Sequence, residues 1–302
     1  MIQGAEPGYP ATVFDDFRLD RVTVGDVSVR FRHGGAGPPV VLLHGHPRTH
    51  TTWHAVAPRL AREHTVVLPD LRGYGGSTLP TDRPGHTQSS KREMAGDVVR
   101  LMAHLGHDRF AVVGHDRGSL VAFRTAMDHP EAVTHLVIMD GLPVVEHLER
   151  TDVTFARAWW HWWFLGQTDK PAERVINADP DAWYETPGPE VIGAGNHADL
   201  WAALRNPAVV HGMCEDYRAG LRVDREHEEA DRAAGRQVEC PMLLLESEHD
   251  DLDLHGDPAK IWAPWLVRPL RHRVVDSGHH QAEERPVEVA DAIGDFLRTA
   301  VR

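Results

Sequence analysis

The segment Gly114–Gly118, with the sequence GHDRG, places one aspartate between two glycines directly after an apolar run. The run Phe110–Val113 is typical of a buried strand, and the stretch from Ser119 to His129 has helical spacing, so the three pieces predict a strand, a turn and a helix. The flanking glycines allow a turn so sharp that the side chain of Asp116 would stand at the carboxyl edge of a sheet. We therefore predict that Asp116 is a nucleophile.

An aspartate in this position suits a different reaction from a serine. A serine needs a base to remove its proton, whereas a carboxylate is already ionised at neutral pH. Asp116 could therefore attack an sp³ carbon directly and form an ester between the protein and the alkyl carbon of the substrate. A base must then activate the water molecule that hydrolyses this ester.

Two further segments supply the groups that such a reaction needs. The segment His44–Pro47 follows a predicted strand that ends at Leu43, and its loop would direct the backbone N–H of His46 toward the reacting ester oxygen. The second N–H of this oxyanion hole would come from Arg117, the residue after the nucleophile. The sequence Ser277-Gly278-His279 follows the last predicted strand, which makes His279 the expected base. Three such parts in this order at strand ends predict a hydrolase.

The order of elements predicts an α/β protein with a mostly parallel, doubly wound sheet and a helical cap. Two alternating runs, Phe17–Val24 and Val27–His33, predict an opening antiparallel hairpin. Short continuous apolar runs then alternate with helical stretches, as in a parallel sheet that is buried on both faces. The apolar runs are Pro39–Leu43, Thr65–Leu68, Phe110–Val113, His135–Met139, Met242–Leu245 and His272–Val275. Residues 144–222 have helical spacing without a convincing strand, so we predict a cap there and a core domain of residues 1–143 and 223–302.

Composition narrows the classes of partner. The formal net charge of −13 argues against nucleic acid or an anionic membrane surface, and leaves a small-molecule substrate as the expected partner. Two cysteines, Cys214 and Cys240, are too few for a disulfide framework, and the scattered histidines form no metal-binding motif. Neither a leader within Met1–Ala11 nor a membrane span is recognisable. We expect a cytoplasmic enzyme without a cofactor or metal, with a homodimer as one possible assembly.

Four sequences resemble the branch of the α/β-hydrolases that uses an aspartate nucleophile: His44–Pro47 (HGHP), Asp70–Ser77 (DLRGYGGS), Gly114–Gly118 (GHDRG) and Ser277–His280 (SGHH). That branch holds epoxide hydrolases and the haloalkane and haloacetate dehalogenases. The resemblance extends over nearly the whole chain and is strongest to haloacetate dehalogenases of the fluoroacetate type. It implies the α/β-hydrolase fold with a cap.

The resemblance also implies roles for residues of the cap and the elbow. His161 and Trp162 match a His-Trp pair that holds the departing halide in haloacetate dehalogenases, together with a cap tyrosine that would be Tyr217 here. Arg117 matches one of two arginines that bind the substrate carboxylate. The second arginine, three residues later, is replaced by Leu120, which would leave half of the clamp and an apolar pocket wall.

The acid that supports His279 has two candidates. Asp140 follows the predicted strand that ends at Met139 and resembles the acid position of the haloacetate dehalogenases. Asp250 follows the strand that ends at Leu245, where many epoxide hydrolases have it. We favour Asp140, on resemblance rather than geometry.

Three functions remain open. The residues that favour a haloacid dehalogenase are Arg117, His161, Trp162, Tyr217 and Asp140. An epoxide hydrolase is favoured by Leu120 and Asp250, with His161 and Tyr217 as donors to the epoxide oxygen. A hydrolase-fold protein that only binds its ligand is the third, but it would not need a nucleophile, a base and an acid. Leu120 further predicts weak activity on fluoroacetate or chloroacetate and better activity on larger or uncharged substrates.

Overall fold

The computed structural model of the protein describes residues 14, 16–169 and 171–299. An eight-stranded sheet with the order β1-β2-β4-β3-β5-β6-β7-β8 forms its centre. The strands are β1 Arg18–Val24, β2 Val27–Gly35, β3 Pro39–Leu43, β4 Thr65–Pro69, β5 Phe110–His115, β6 Val133–Met139, β7 Met242–Ser247 and β8 Arg271–Val275. Strand β2 pairs antiparallel with both β1 and β4, and all the pairs from β4 to β8 are parallel. The predicted hairpin and parallel sheet are confirmed.

Burial explains why the central strands lack alternation. Every residue of β5 is buried, as are four of the five residues of β3, because helices cover both faces of the sheet. Two hydrophobic clusters result, one on each face of the sheet. Strand β8 differs from the expectation of a buried strand, since only Val275 is buried. It is the edge of the sheet, so its polar side chains contact solvent.

Fifteen α-helices lie in the described residues. They are α1 Ala57–Leu60, α2 Lys91–His104, α3 Arg117–Asp128, α4 Val144–Glu149, α5 Val153–Ala158, α6 Trp160–Leu165, α7 Ala172–Ala178, α8 Pro180–Trp183, α9 Pro189–Ile192, α10 Ala194–Leu204, α11 Pro207–Ala219, α12 Arg225–Ala233, α13 Pro258–Trp262, α14 Gln281–Glu284 and α15 Pro286–Leu297. Short 3₁₀ segments occur at His50–Trp53, Pro84–Ser89, Leu252–His255 and Ala263–Trp265, and a π-helical turn at Gly220–Asp224 joins α11 to α12.

The chain between β6 and β7 contains only helices, α4 to α12, in its described residues. This run begins at Val144, where the cap was predicted to begin, and continues to Ala233. The division into a core and a cap of residues 144–222 stays a prediction. No helix among the described residues is long and apolar enough to cross a membrane. The predicted lack of a leader within Met1–Ala11 lies outside the described residues.

Candidate active site

Asp116 lies in the sharp turn between β5 and α3. Its φ of +50° is unusual for a residue other than glycine, and such strain is concentrated at functional sites. The flanking glycines are required by contact distances: a Cβ on Gly114 would lie 2.1 Å from the carbonyl oxygen of Gly118, and a Cβ on Gly118 would lie 2.4 Å from that of His44. The turn therefore has the geometry that the GHDRG sequence predicts.

Two backbone N–H groups donate to the Asp116 carboxylate. The N–H of His46 donates to Oδ1 over 2.6 Å, and the N–H of Arg117 also bonds to this carboxylate. Burial alone would raise the pKa of Asp116, but the charges of His279, His115 and Arg117 and the backbone hydrogen bond lower it below its ordinary value. Asp116 is therefore ionised at neutral pH, with Oδ1 in the predicted oxyanion hole.

The other carboxylate oxygen faces the predicted base. His279 Nε2 lies 3.9 Å from Asp116 Oδ2, and His279 Nδ1 is hydrogen-bonded to Asp250 Oδ2 over 2.8 Å. Burial would lower the pKa of His279, but the hydrogen bond to Asp250 and the charges of Asp250, Asp116 and Asp140 raise it to about 9. The imidazole is thus protonated beside the free carboxylate.

The preference for Asp140 as the acid of His279 needs correction. Asp250 makes the hydrogen bond to His279, whereas both oxygens of Asp140 accept from other donors: the N–H of Ser247 at 2.7 Å, its hydroxyl at 2.6 Å and Gln281 Nε2 at 2.7 Å. Burial, helped by the charge of Asp250, raises the pKa of Asp140 to about 7 although its donors oppose this. Asp140 is therefore a buried carboxyl group whose pKa is about 7 and whose hydrogen bonds go to Ser247 and Gln281. Asp250, the alternative acid, is the carboxylate that bonds to His279.

A cavity of about 410 Å³ opens between the sheet edge and the cap. Asp116, His279 and His46 line it on the core side, and His161, Tyr184 and Tyr217 line it on the cap side. Tyr184 was not singled out from the sequence. It follows a four-residue helix, whose length is too short to give a periodic signal for the direction of its side chain.

The three predicted halide-binding residues lie together. The ring centroids of His161 and Tyr217 are 5.8 Å apart, and those of Trp162 and Tyr217 are 6.0 Å apart. Trp162 is not among the cavity-lining residues, but its Nε1 is buried and has no hydrogen-bond partner among the described residues. Burial lowers the pKa of His161 to about 4, so this imidazole is neutral at pH 7. Burial, followed by the charge of Asp116, raises the pKa of Tyr217 well above its ordinary value.

The guanidinium of Arg117 binds mainly to two cap residues, Asp216 and Tyr217. Its Nε and Nη2 donate to the carboxylate of Asp216, at 2.9 and 3.1 Å, and its Cζ lies 4.3 Å from the ring centroid of Tyr217. One nitrogen, Nη1, is buried without a hydrogen-bond partner among the described residues. Leu120 does not line the cavity. It is buried in the larger hydrophobic cluster, so the expectation of an apolar pocket wall there is wrong.

Some of these groups are also spaced closely enough to hold a metal ion, among them Asp140, Asp250 and His279. Their ligand atoms are already used, because His279 Nδ1 bonds to Asp250 and the oxygens of Asp140 bond to Ser247 and Gln281. The arrangement is that of a hydrogen-bonded base and its acid. The absence of a metal or cofactor from the reaction stays a prediction.

Comparison with known proteins identifies the family. The profile described as "alpha/beta hydrolase fold" matches residues 38–286. The chain belongs to the α/β-hydrolase family. It is 40% identical over 295 residues to a fluoroacetate dehalogenase from Burkholderia sp., with 95% of this chain and 96% of the relative covered. It is 31% identical to a soluble epoxide hydrolase from Corynebacterium sp., with 87% and 91% covered.

A solved structure supports the same assignment. A protein from Nostoc sp. that is described as belonging to the α/β hydrolases superposes with a TM-score of 0.90 at 37% identity, covering 94% of this chain and 99% of the other. The relatives in sequence are enzymes, a dehalogenase and an epoxide hydrolase. This α/β-hydrolase is accordingly an enzyme with an aspartate in the nucleophile position.

Proposed function

We propose that this α/β-hydrolase cleaves the carbon–halogen bond of α-haloacids or closely related halides through an ester on Asp116. One observation carries the proposal: the ionised carboxylate of Asp116 lines the same cavity as neutral His161 and Tyr217. The ring of Trp162, whose N–H has no hydrogen-bond partner among the described residues, packs beside Tyr217. Donors on the side opposite a nucleophile suit a leaving group that becomes an anion.

The first half of the reaction needs no proton transfer. Asp116 Oδ2 attacks the carbon that bears the halogen, a C–O bond forms as the carbon–halogen bond breaks, and the halide takes the electron pair toward His161, Trp162 and Tyr217. Oδ1 remains against the N–H of His46 as the carbonyl oxygen of the new ester.

The second half requires His279 to be neutral. Ester formation removes the negative charge of Asp116, which is one of the charges that raise the pKa of His279, so the imidazole becomes able to take a proton from water. The hydroxide adds to the carbonyl carbon of Asp116, and the charge on Oδ1 is stabilised by the N–H groups of His46 and Arg117. Collapse breaks the bond to the alkyl oxygen, and the departing alkoxide takes the proton of the hydroxyl group now on the Asp116 carbonyl carbon, so Asp116 becomes a carboxylate again. His279 keeps the proton that it took from water, which replaces the one that it lost to solvent when the ester formed.

Arg117 limits how strongly a substrate carboxylate can be held. Two of its nitrogens bind Asp216, and Nη1 is the nitrogen without a hydrogen-bond partner among the described residues. Arg117 does not itself line the cavity, and Leu120 supplies no second cation. A charge-assisted hydrogen bond contributes about 1.5–3 kcal/mol, so a missing partner should weaken the binding of small haloacids about ten- to a hundredfold. A larger substrate can offset this loss by apolar contacts, and the cavity of about 410 Å³ has room for one. We therefore expect larger haloacids or their esters to be better substrates than fluoroacetate or chloroacetate.

Epoxide hydrolysis is the second candidate, and one observation favours it. Asp250, rather than Asp140, is the carboxylate bonded to His279, which is the arrangement expected of the epoxide hydrolases. Ring opening produces an alkoxide, and Tyr217 would supply the proton. Both reactions form an ester on Asp116. They differ in the leaving group, because a halide needs only hydrogen bonds from the cap donors, whereas an alkoxide must also receive a proton.

A panel assay that measures halide release and diol formation side by side tests the proposal. We expect halide release from 2-halobutanoates at rates above diol formation from 1,2-epoxybutane. Trp162→Phe, which removes only the indole N–H, should lower halide release about tenfold or more. Trp201→Phe is the matched control, because this cap tryptophan packs against His197 and Arg205 rather than against Tyr217. Diol formation without halide release would establish the second candidate instead.

The remaining features of this proposal concern partners and location. A small molecule is the proposed substrate, neither nucleic acid nor membrane is proposed as a partner, and a homodimer is one possible assembly. We propose a cytoplasmic location, on the composition of the sequence alone.

A further inference from the structure

The loop that carries His46 is fixed by a buried carboxylate, that of Glu283. Arg48 Nε donates to Glu283 Oε1 over 3.0 Å and its Nη2 donates to Oε2 over 2.9 Å, and the hydroxyl of Thr52 donates to Oε1 over 2.9 Å. The side chains of Arg48 and Glu283 are each only 2% exposed. Glu283 therefore contacts this loop at two points, on residues two and six positions after His46.

Glu283 also belongs to the segment that carries the base. It lies in α14, four residues after His279, and its Oε1 accepts a third hydrogen bond from Asn196 Nδ2 at 2.9 Å. Asn196 is in α10 of the helical run between β6 and β7, and its Oδ1 accepts from the hydroxyl of Thr51. One carboxylate thus joins the loop of the oxyanion hole, the segment of the catalytic base and the cap.

Glu283 is not the only residue that attaches the cap to the core. Asp199, one turn after Asn196 on the same helix, accepts from Thr49 Oγ1 at 2.6 Å and from Arg30 at 2.8 and 2.9 Å. Removing the charge of Glu283 would therefore leave α10 attached to the core. It would leave Arg48 as a buried cation without its carboxylate, which is strongly unfavourable, so Arg48 and the loop beside it should move.

We propose that Glu283 is a positioning residue that holds the N–H of His46 against Asp116 Oδ1 while the ester is hydrolysed. This inference rests on the proposed function, because it requires an ester on Asp116. The two half-reactions should respond differently. In the first, the N–H stabilises the carboxylate that must react, so weakening this contact does not slow the attack. In the second, negative charge develops on Oδ1, and the same weakening raises the barrier.

The test is Glu283→Gln. The amide would direct an NH₂ group toward donors of Arg48, Thr52 or Asn196, so the loop loses its anchor while the size of the side chain is kept. Hydrolysis of the alkylated enzyme should slow about ten- to a hundredfold, and alkylation should change by less than about threefold. Rapid quenching followed by mass spectrometry of the intact protein measures both, and the adduct should accumulate in the steady state.

Asp231→Asn is the matched control. Asp231 is also a buried carboxylate that binds two arginines, Arg124 and Arg236, but it does not line the cavity. It should lower stability without making the adduct accumulate. The double variant Arg48→Met/Glu283→Gln removes the unpaired cation, so its folded state should be more stable than that of Glu283→Gln while hydrolysis remains slow.

Equal slowing of both half-reactions, or accumulation of the adduct in Asp231→Asn, would overturn the inference. Restoration of fast hydrolysis in the double variant would overturn it too, because the slow hydrolysis of Glu283→Gln would then come from the unpaired charge of Arg48. The proposed function has a separate readout: if no adduct forms on Asp116 in His279→Gln with haloacids or epoxides, the function and this inference both fail. An adduct whose hydrolysis is indifferent to Glu283→Gln would refute this inference alone.

Discussion

Replacing Asp250 with asparagine should stop the enzyme between its two half-reactions. The substitution keeps the size of the side chain but removes the negative charge that lies 2.8 Å from His279 Nδ1. An amide can also present its NH₂ group to Nδ1 and so stabilise the wrong tautomer of the imidazole. Alkylation needs no change in the protonation of His279, whereas water activation requires the neutral imidazole to become an imidazolium, so the effect should fall on ester hydrolysis.

The structure gives the size of this effect. The interval between the ordinary histidine pKa of 6.5 and the value of about 9 for His279 corresponds to about 3 kcal/mol in favour of the imidazolium. Among the groups that raise the pKa of His279, Asp250 contributes most, and Asp116 and Asp140 contribute less. Losing it should slow hydrolysis about a hundredfold, and a wrong tautomer extends this to about 10⁴-fold. Alkylation should not slow, because a less cationic His279 leaves Asp116 a stronger nucleophile.

The assay is a single-turnover experiment that follows the alkylated and free enzyme by mass spectrometry. Asp140→Asn is the matched comparison, since it changes the other buried carboxyl beside the base; its effect on hydrolysis should be mild. The amide oxygen of Gln281 has no hydrogen-bond partner among the described residues, so a rotated Gln281 could accept from the new amide. Rapid hydrolysis in Asp250→Asn together with a halt in Asp140→Asn would refute the assignment of Asp250 as the supporting acid.

Three other predictions concern the same intermediate. His279→Gln should form the Asp116 ester and fail to hydrolyse it, and peptide mapping should place the added mass on Asp116; an adduct on another residue would refute the mechanism. The rate of alkylation should be flat between about pH 5 and 8, because the pKa of Asp116 lies below its ordinary value. The rate of ester hydrolysis should rise with pH toward an apparent pKa below about 9, because the neutral imidazole is the base and the ester has removed one of the charges that raise its pKa. A hydrolysis rate that falls with pH over that range would contradict the assignment of His279 as the base.

The sequence predicted the nucleophile and the base because their positions depend on local structure. The glycines around Asp116 and the apolar run before it determine a turn at one strand end, and the position of His279 follows from the last strand of the same sheet. The supporting acid could not be decided in this way. Asp140 and Asp250 follow the adjacent strands β6 and β7, so both reach the same sheet edge. Ser247 and Gln281, which are far apart in sequence, donate hydrogen bonds to Asp140. Asp250 is therefore the carboxylate that binds His279.

The roles of Arg117 and Leu120 were harder to predict, again because they depend on residues that are distant in sequence. The role of Arg117 depends on Asp216, which lies in α11 about a hundred residues later and binds the guanidinium. Its position directly before the predicted halide ligand Tyr217 was a usable signal, since a carboxylate there can reach the arginine beside the nucleophile. Leu120 was judged by its distance along the chain from Arg117, but its side chain packs into the core. Glu283 gave no local signal at all, because its partners come from two separate segments.

The protonation states in the cavity favour a halide over an alkoxide as the leaving group. A halide needs hydrogen bonds but no proton, and His161, whose pKa is lowered to about 4, is a neutral donor that cannot serve as an acid at pH 7. An alkoxide must be protonated, and this task would fall on Tyr217, whose pKa lies well above its ordinary value. Part of that elevation comes from the charge of Asp116, which disappears as the ester forms. Tyr217 therefore becomes a better acid only as the bond to the leaving group breaks, so epoxide opening depends on this hydroxyl, whereas halide departure can draw on all three donors.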